Sequence, residues 1–142
     1  MGYRSDVAYA IQFKDADTLK EFVGLHAINE DTREALQECT LALEEDPNDT
    51  PALMFNESDV KWYDSFEEVQ AHDKLLDSVD EAFSDRAGYH FLRIGEDDDD
   101  NEQKDGGHRE LIPWDAFSFR RFIEIDWRSD EHDDLIGTIS KL

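Results

Sequence analysis

Large apolar residues occupy every second position in residues 7–13, and alanine or glutamine lies between them. Successive side chains of a β-strand point to opposite faces of a sheet, so a period of two is typical of a half-buried strand. The pattern therefore predicts that the chain begins with a strand whose large residues, from Val7 to Phe13, pack into a core.

Three later segments carry apolar residues at helical spacing. The first follows a possible N-cap at Asp15 or Asp17. The second begins near Asp31 and ends at the Pro-Asn-Asp run of residues 47–49. The third covers residues 65–83 and opens with a capping box whose first residue is a serine. We therefore predict three amphipathic helices between the first strand and the middle of the chain.

Further strands are predicted on both sides of the third helix. Residues 52–56 and 60–63 are interpreted as a hairpin that turns at residues 58–59, although the turn lacks an Asn-Gly signature. Residues 89–94 and 117–125 are rich in aromatic and β-branched side chains and predict two more strands. The predicted order is thus β-α-α-β-β-α-β-β.

This order predicts an α+β fold with a mostly antiparallel sheet and helices on one face. It is the split-βαβ, or ferredoxin-like, order with one added strand. We expect residues 1–127 to form a single domain and residues 128–142 to form a polar C-terminal tail. Residues 95–110 are acidic and low in complexity, and they predict a mobile acidic loop.

The net charge of the chain argues against two classes of function, nucleic-acid binding and membrane binding. The 142 residues include 37 acidic and 14 basic side chains, for a formal net charge of −23. Proteins that neutralise phosphates, or that bind anionic membranes, present basic surfaces. We therefore expect no direct nucleic acid binding and no membrane binding. No apolar stretch is long enough to span a bilayer, and the opening lacks the pattern of a signal peptide.

The one cysteine has a structural interpretation. Cys39 falls at an apolar position of the second predicted helix, and we interpret it as a core residue rather than a nucleophile. A single cysteine cannot form an internal disulfide, which suits a reducing compartment. We therefore expect a cytoplasmic location.

The acid excess recurs on both later helices and in the predicted loop. Acids at i, i+4 share one helix face and repel each other by roughly 0.2–0.5 kcal/mol per pair. The candidate partner-binding acids are Glu34, Glu38, Asp73, Asp77, Asp80, Glu81, Asp97, Asp98, Asp99 and Asp100. For any single helix the simplest interpretation is a solvated face, and adaptation to high salt is a further alternative. Repetition over several elements favours a mimic of the nucleic-acid backbone, which carries about one charge per 1.7 Å of duplex axis.

Aromatic residues make up 11% of the chain and suggest a second kind of contact. Those on predicted strands, such as Tyr9 and Phe91, resemble the base-stacking residues of an RNA-binding sheet, but no basic patch surrounds them. If helices cover only one sheet face, aromatics on the other face would form an apolar patch for a partner or for a homodimer. The predicted anchors are Trp62, Trp114 and Trp127.

Signatures of catalysis are absent from the sequence. It contains no phosphate-binding glycine motif, no nucleophile elbow and no zinc-ligand spacing among its five histidines. Residues 99–110 match acidic positions of a calcium loop, but Lys104 stands where that loop needs glycine. Asp59, Asp64 and Asp115, near predicted strand ends, leave a metal-dependent nuclease as a minor alternative. We expect no enzymatic activity, no cofactor and no metal.

Three segments carry a resemblance: MGYRSDVA at residues 1–8, DVKWY at 59–63 and RIGED at 93–97. They resemble a group of small, mostly uncharacterised acidic proteins of tailed bacteriophages. The resemblance implies a phage or prophage origin and the cytoplasm of a bacterial host. Small acidic phage proteins are often inhibitors of host nucleic-acid enzymes, so it favours that role.

The sequence thus predicts a non-enzymatic protein that binds and inhibits a basic nucleic-acid-processing or defence protein of the host. The alternative from another class is an interaction or regulatory module that uses an apolar sheet face and is acidic for solubility alone.

Overall fold

The alternating segment near the start of the chain forms the middle strand of a five-stranded antiparallel sheet. The computed structural model describes residues 2–42, 50–97, 99–114, 116–119, 123–125 and 134–141, without the side chains of 117–119 and 123–125. The elements are β1 (Ser5–Phe13), α1 (Ala16–Ile28), α2 (Glu30–Gln37), β2 (Thr40–Ala42), β3 (Ala52–Val60), α3 (Glu67–Ala82), β4 (Ala87–Gly95), β5 (Asn101–Gly107), a 3-10 helix (Arg109–Leu111), β6 (Phe117–Phe119), β7 (Ile123–Ile125) and α4 (Leu135–Ser140).

The strand order is β2-β3-β1-β4-β5. Strands β1 to β4 therefore have the ferredoxin-like arrangement, and β5 is the added strand at the outer edge of β4. The predicted α+β class, the single domain and the mostly antiparallel sheet are confirmed. Strands β6 and β7 form a separate two-stranded sheet.

Helices cover one face of the five-stranded sheet, as predicted. The large side chains of β1 point to this face, where Tyr9, Ile11 and Phe13 are fully buried against residues of α1, α2 and α3. Each fully buried side chain of this size contributes roughly 1.5–3 kcal/mol of hydrophobic stabilisation. This core holds the three helices in place.

The opposite sheet face carries small residues and is also covered. Ala8 and Ala10 are fully buried there, next to Met54 and Leu92, and Ala116 from the segment after β5 packs against them. The strand aromatics Tyr9 and Phe91 lie under the helices, so they do not form the apolar patch that an uncovered aromatic face would have given. The small alanines instead allow the chain to pass closely over this face.

The observed strands differ from two of the predicted ones. The hairpin with a turn at residues 58–59 was wrong, because Ala52–Val60 is one continuous strand that pairs with β1 and with the short β2. The last predicted strand, over residues 117–125, is instead the pair β6 and β7. The second helix also ends earlier than predicted, so Cys39 follows it in the link to β2.

Seven of the sixteen residues of the predicted mobile loop form β5. Residues 101–107 pair with β4 from Ile94–Asn101 to Gly88–Gly107, so the interpretation of residues 95–110 as a loop was wrong for this stretch. The calcium-loop spacing falls on the same strand. Its polar composition is compatible with a strand because β5 is at the sheet edge and has one neighbour.

Helix caps were predicted with mixed success. Asp15 caps α1, with its Oδ1 accepting from the backbone N–H of Thr18 at 2.8 Å. The second helix, predicted to begin near Asp31, begins at Glu30 and is capped by Asn29. Helix α3 starts after Phe66 with no side-chain cap, rather than with the predicted capping box at Ser65. The tail predicted over residues 128–142 includes α4, which packs against α1 and α2.

Candidate partner-binding surface

A cleft of about 480 Å³ separates the exposed sides of α2 and α3. Both helices bury an apolar stripe in the core, which leaves their charged residues along the rim of this cleft. Lys74 spans it, with Nζ 3.2 Å from Asp31 Oδ2. The carboxylates that line this acidic cleft are Glu30, Asp31, Glu34, Glu38, Glu67 and Glu68. Glu34 and Glu38 are thus brought together with four acids that were not among the candidate sites.

A buried hydrogen-bond chain lies beneath the acidic cleft. Glu38 Oε2 is 2.8 Å from His72 Nε2, and His72 Nδ1 is 2.6 Å from the Tyr9 hydroxyl. That hydroxyl is 3.4 Å from Cys39 Sγ. The His72 side chain is 2% exposed and that of Glu38 is 49% exposed. These hydrogen bonds therefore connect a surface carboxylate with the core.

The Tyr9 hydroxyl and the Cys39 thiol, at the buried end of these hydrogen bonds, stay protonated. Burial raises the pKa of the Tyr9 hydroxyl well above its usual value and raises the pKa of the Cys39 thiol to about 12. The thiolate is the nucleophilic form, so Cys39 is not activated, and its interpretation as a core residue is confirmed. His72 contacts Glu38 through Nε2 and Tyr9 through Nδ1, so both of its ring nitrogens have a hydrogen-bond partner. The arrangement therefore fixes the position of Glu38.

A second group of acids lies where α3 packs beside β4 and β5. Asp73, Asp77 and Asp80 follow one another along α3 at a rise of about 6 Å or less per step. The charges of Asp64, Asp77 and Glu102 lie close enough to raise the pKa of Asp73. The charges of Asp80, Asp77 and Asp105 likewise raise the pKa of Tyr89. We call this set the acidic ridge: Asp64, Asp73, Asp77, Asp80, Glu102 and Asp105.

The surroundings of Asp73 in the acidic ridge disfavour its ionised form. Its pKa is raised, first by burial and then by Asp64, Asp77 and Glu102, although Lys104 Nζ lies 3.8 Å away and acts in the opposite direction. The ionised form is therefore less favourable in the folded chain than in the unfolded chain.

Replacing Asp73 with asparagine should raise the melting temperature at neutral pH and low salt. The side chain is partly exposed, so the gain is small, about 0.5 kcal/mol or 1–2 °C. The folded chain binds this proton more readily than the unfolded chain, so the cost of the charge disappears as the pH falls through the raised pKa. Thermal melts from pH 7 to pH 3.5 should show the two proteins converging. Asp17→Asn is the control, because Asp17 is in the first turn of α1 and its charge favours the helix. An equal rise in both variants would contradict the local explanation.

Asp80 has a structural role within the ridge. Its Oδ1 accepts from the backbone N–H of Gly107 at 2.9 Å, and its Oδ2 accepts from the Tyr89 hydroxyl at 3.3 Å. Burial and Asp80 together raise the pKa of Tyr89 to about 12. Asp80 thus ties α3 to the end of β5, whereas its helix neighbour Glu81 is exposed to solvent.

The predicted acids of the β4–β5 turn separate into two kinds. Asp97 and Asp99 are exposed. Asp100 is held by Arg93 through two contacts of 2.8 and 3.1 Å and by the Tyr3 hydroxyl at 2.6 Å. Arg93 and Tyr3 hold the pKa of Asp100 at about 2, so this carboxylate stays ionised within its own ion pair. Asp98 lies outside the described residues.

The two described tryptophan anchors, Trp62 and Trp114, lie in different surroundings. Trp62 is half-buried beside Phe55 and His72, with ring centroids 5.8 and 5.6 Å away. Trp114 is 55% exposed and lies against His90, whose strand neighbour Phe91 points to the helix-covered face. Trp127 lies outside the described residues. Trp62 alone is therefore next to the acidic surface among the described anchors.

A second cavity, of about 320 Å³, joins Trp62 to the acidic ridge. It lies beside the start of α3, on the flank that faces β4 and β5. We call it the aromatic pocket; its lining residues are Tyr3, Trp62, Tyr63, Asp64, Asp73, Arg93, Asp100, Glu102 and Lys104. The adjacent Trp-Tyr-Asp run of residues 62–64 was the sequence signal for it, but the contribution of β5 was hidden by the loop prediction.

Cations of the described chain are largely engaged by nearby acids. Arg86 lies 3.7 Å from Asp85 and also pairs with Glu21, and Arg4 lies 4.0 Å from Asp59. Exposed pairs of this kind contribute roughly 0–1 kcal/mol each, so they neutralise charge more than they stabilise the fold. The Asp59 and Asp64 of the alternative metal site lie in different surroundings, and Asp115 lies outside the described residues.

Two further surveys concern the described part of the chain alone. No group of three or more His, Cys, Asp or Glu side chains there is arranged to hold a metal ion. None of the helices there has the length and apolar character needed to cross a membrane. Comparisons of the whole chain with protein-family models, curated proteins and solved structures found no significant match.

Proposed function

We propose that this chain is a non-enzymatic inhibitor that binds a basic surface of a partner protein and competes there with nucleic acid. The observation that carries the proposal is the position of the acids: α2 and α3 turn rows of carboxylates outward on both flanks of α3 while a single core fixes their other sides. The phage origin implied by the resemblance would make that partner a nucleic-acid-processing or defence protein of the host.

The spacing of the carboxylates supports mimicry of a nucleic-acid backbone. Asp73 and Asp77 are one helical turn apart, and Glu102 and Asp64 lie close enough to raise the pKa of Asp73. A rigid array of this kind presents a field comparable with a row of phosphates. It would attract a basic groove over long range and form a complex that weakens as salt rises.

A cost in stability accompanies this arrangement. The ionised Asp73 is disfavoured by its surroundings, and the acidic cleft holds six carboxylates with Lys74 as their basic neighbour. Dispersed acidic residues would give the same net charge and solubility with less mutual repulsion than acidic residues clustered around one helix. The clustering therefore supports a binding role over the alternative of acidity for solubility alone.

Binding to a panel of basic nucleic-acid-binding host proteins, measured at 50–300 mM salt, tests the proposal. We expect at least one complex whose affinity falls by about tenfold or more across that range and that duplex DNA displaces. The double variant Glu34→Gln and Glu68→Gln should weaken it several-fold. A complex that is indifferent to salt and to DNA, or none at all, would sink the proposal.

The matched control is the double variant Asp17→Asn and Glu110→Gln. It removes the same number of charges from exposed positions outside the cleft and the ridge. Asp17 and Glu68 both lie in the first turn of an α-helix, so each double variant loses one favourable charge at an α-helix terminus. Equal weakening by the two would show that net charge, and not the cleft, governs binding.

A further inference from the structure

The aromatic pocket differs from the rest of the acidic surface because it combines carboxylates with aromatic rings. Trp62 and Tyr63 lie on its wall together with Asp64 and Asp73. Its volume of about 320 Å³ is near the lower limit of roughly 300–1,000 Å³ for small-ligand pockets. A cavity of this size accepts one long side chain rather than a folded segment.

One cation is already held at this pocket in a way that indicates the chemistry of its ligand. Lys104 Nζ lies 4.5 Å from the centroid of the Phe91 ring, 3.8 Å from Asp73 and 3.6 Å from Glu102. This is a cation placed over an aromatic face and between two carboxylates. The neighbouring wall of Trp62, Tyr63 and Asp64 also combines aromatic rings with a carboxylate. The Lys61 side chain passes beside the Tyr63 hydroxyl, next to Gly2.

The charges of the pocket leave room for another positive group. Its four carboxylates face two cations, Arg93 and Lys104. Arg93 is held by Asp100 at 2.8 Å and lies 3.6 Å from Glu102, so it is fixed at the β4–β5 side. Lys104 lies between Asp73 and Glu102. Among the described residues, Asp64 is therefore the pocket carboxylate without an ion pair, and it lies beside the tryptophan in the chain.

We propose that the aromatic pocket binds one arginine side chain of the partner, with its guanidinium against Trp62 or Tyr63 and paired with Asp64. A guanidinium is planar, stacks on aromatic faces and bonds a carboxylate through two N–H groups, which the more strongly hydrated ammonium of lysine does less well. This inference rests on the proposed function and adds to it the residue type that anchors the partner.

The interaction would supply specificity beyond general charge attraction. Arginine is one of the residues that most often dominate binding at protein interfaces. A pocket that desolvates its guanidinium would slow dissociation, whereas the carboxylates of the cleft would mainly speed association. Affinity for a basic partner should therefore depend on one arginine more than on its neighbouring lysines.

The test uses the full chain and N-acetyl-arginine methylamide as the probe, followed by NMR of the tryptophan indole N–H groups. The resonance of Trp62 is assigned with Trp62→Phe. We expect saturable shifts of the Trp62 indole with a dissociation constant on the order of 1–10 mM. The neutral isostere N-acetyl-citrulline methylamide should cause no saturable shift, and the lysine analogue should bind at least about threefold more weakly.

Asp64→Asn should weaken binding of the arginine probe by about fivefold or more, and the exposed control Asp17→Asn should leave it unchanged. An unmoved Trp62 resonance, equal binding of citrulline or lysine, or an unaffected Asp64→Asn protein would each overturn the inference. Glu34→Gln with Glu68→Gln lies outside the pocket, so it tests the proposed function separately. A failure of either is therefore distinguishable from a failure of the other.

Discussion

Replacing His72 with alanine should lower the free energy of unfolding by about 3 kcal/mol and the melting temperature by roughly 6–12 °C. The His72 ring is almost fully buried and stacks on Phe55 with centroids 4.2 Å apart. Its removal leaves a cavity and takes away the hydrogen-bond partner of the Tyr9 hydroxyl. Urea or thermal unfolding followed by circular dichroism measures the loss.

A double-mutant cycle separates packing from hydrogen bonding in this prediction. His72→Phe keeps a ring in the core but removes the nitrogen partner of the Tyr9 hydroxyl, and Tyr9→Phe removes the hydroxyl partner of His72 Nδ1. Each single change should cost about 1–3 kcal/mol. The double variant should cost less than the sum, because neither polar group is then left unpaired. Strict additivity would show that the Tyr9–His72 contact contributes nothing.

Replacing Gly107 with alanine should destabilise the chain by roughly 2–4 kcal/mol. Gly107 has a φ of +85°, which side chains rarely adopt, and a Cβ there would overlap the backbone oxygen of Ala87 and approach Val79. The backbone of β4 cannot move aside without breaking the pairing of Gly88 with Gly107. The end of β5 should therefore separate from β4 before the rest of the sheet unfolds.

The consequences for the acidic ridge follow from the bond between Gly107 and Asp80. If the end of β5 is displaced, Asp80 loses its backbone donor, and amide exchange should increase in residues 101–107 more than in β1. Gly24→Ala is the matched control, because Gly24 lies inside α1 with nothing within 4 Å of a new Cβ. That change should stabilise the chain by about 0.5–1 kcal/mol. Destabilisation of similar size by both changes would contradict the local argument.

Local patterns in the sequence predicted the elements that depend on near neighbours. The alternation in residues 7–13 identified β1, and helical spacing located α1 and α3, because each pattern records which side of an element is buried. The order of helices and strands was sufficient for the α+β class. The ferredoxin-like strand order also needs β2, which lies where the second helix was predicted to continue.

Among the elements that the sequence analysis missed, β5 depends on a distant partner. Its polar residues have no strand pattern, and its stability comes from pairing with β4 and from the bond between Asp80 and Gly107. The same pairing places Glu102 beside Asp73, although the two lie far apart in the chain. The aromatic pocket could not be predicted for this reason, because one of its walls belongs to β5.

The composition alone determined that this protein is strongly acidic, with a formal net charge of −23. Only the tertiary structure decided which acids are available to a partner. Asp80 and Asp100 bond within the molecule, whereas Glu34, Asp64 and Asp77 lie exposed on the cleft or the ridge. The physical reason is that each residue carries its charge by itself, whatever the fold. Whether a carboxylate is free to contact a partner depends on which donors and cations the fold brings within a few ångströms of it.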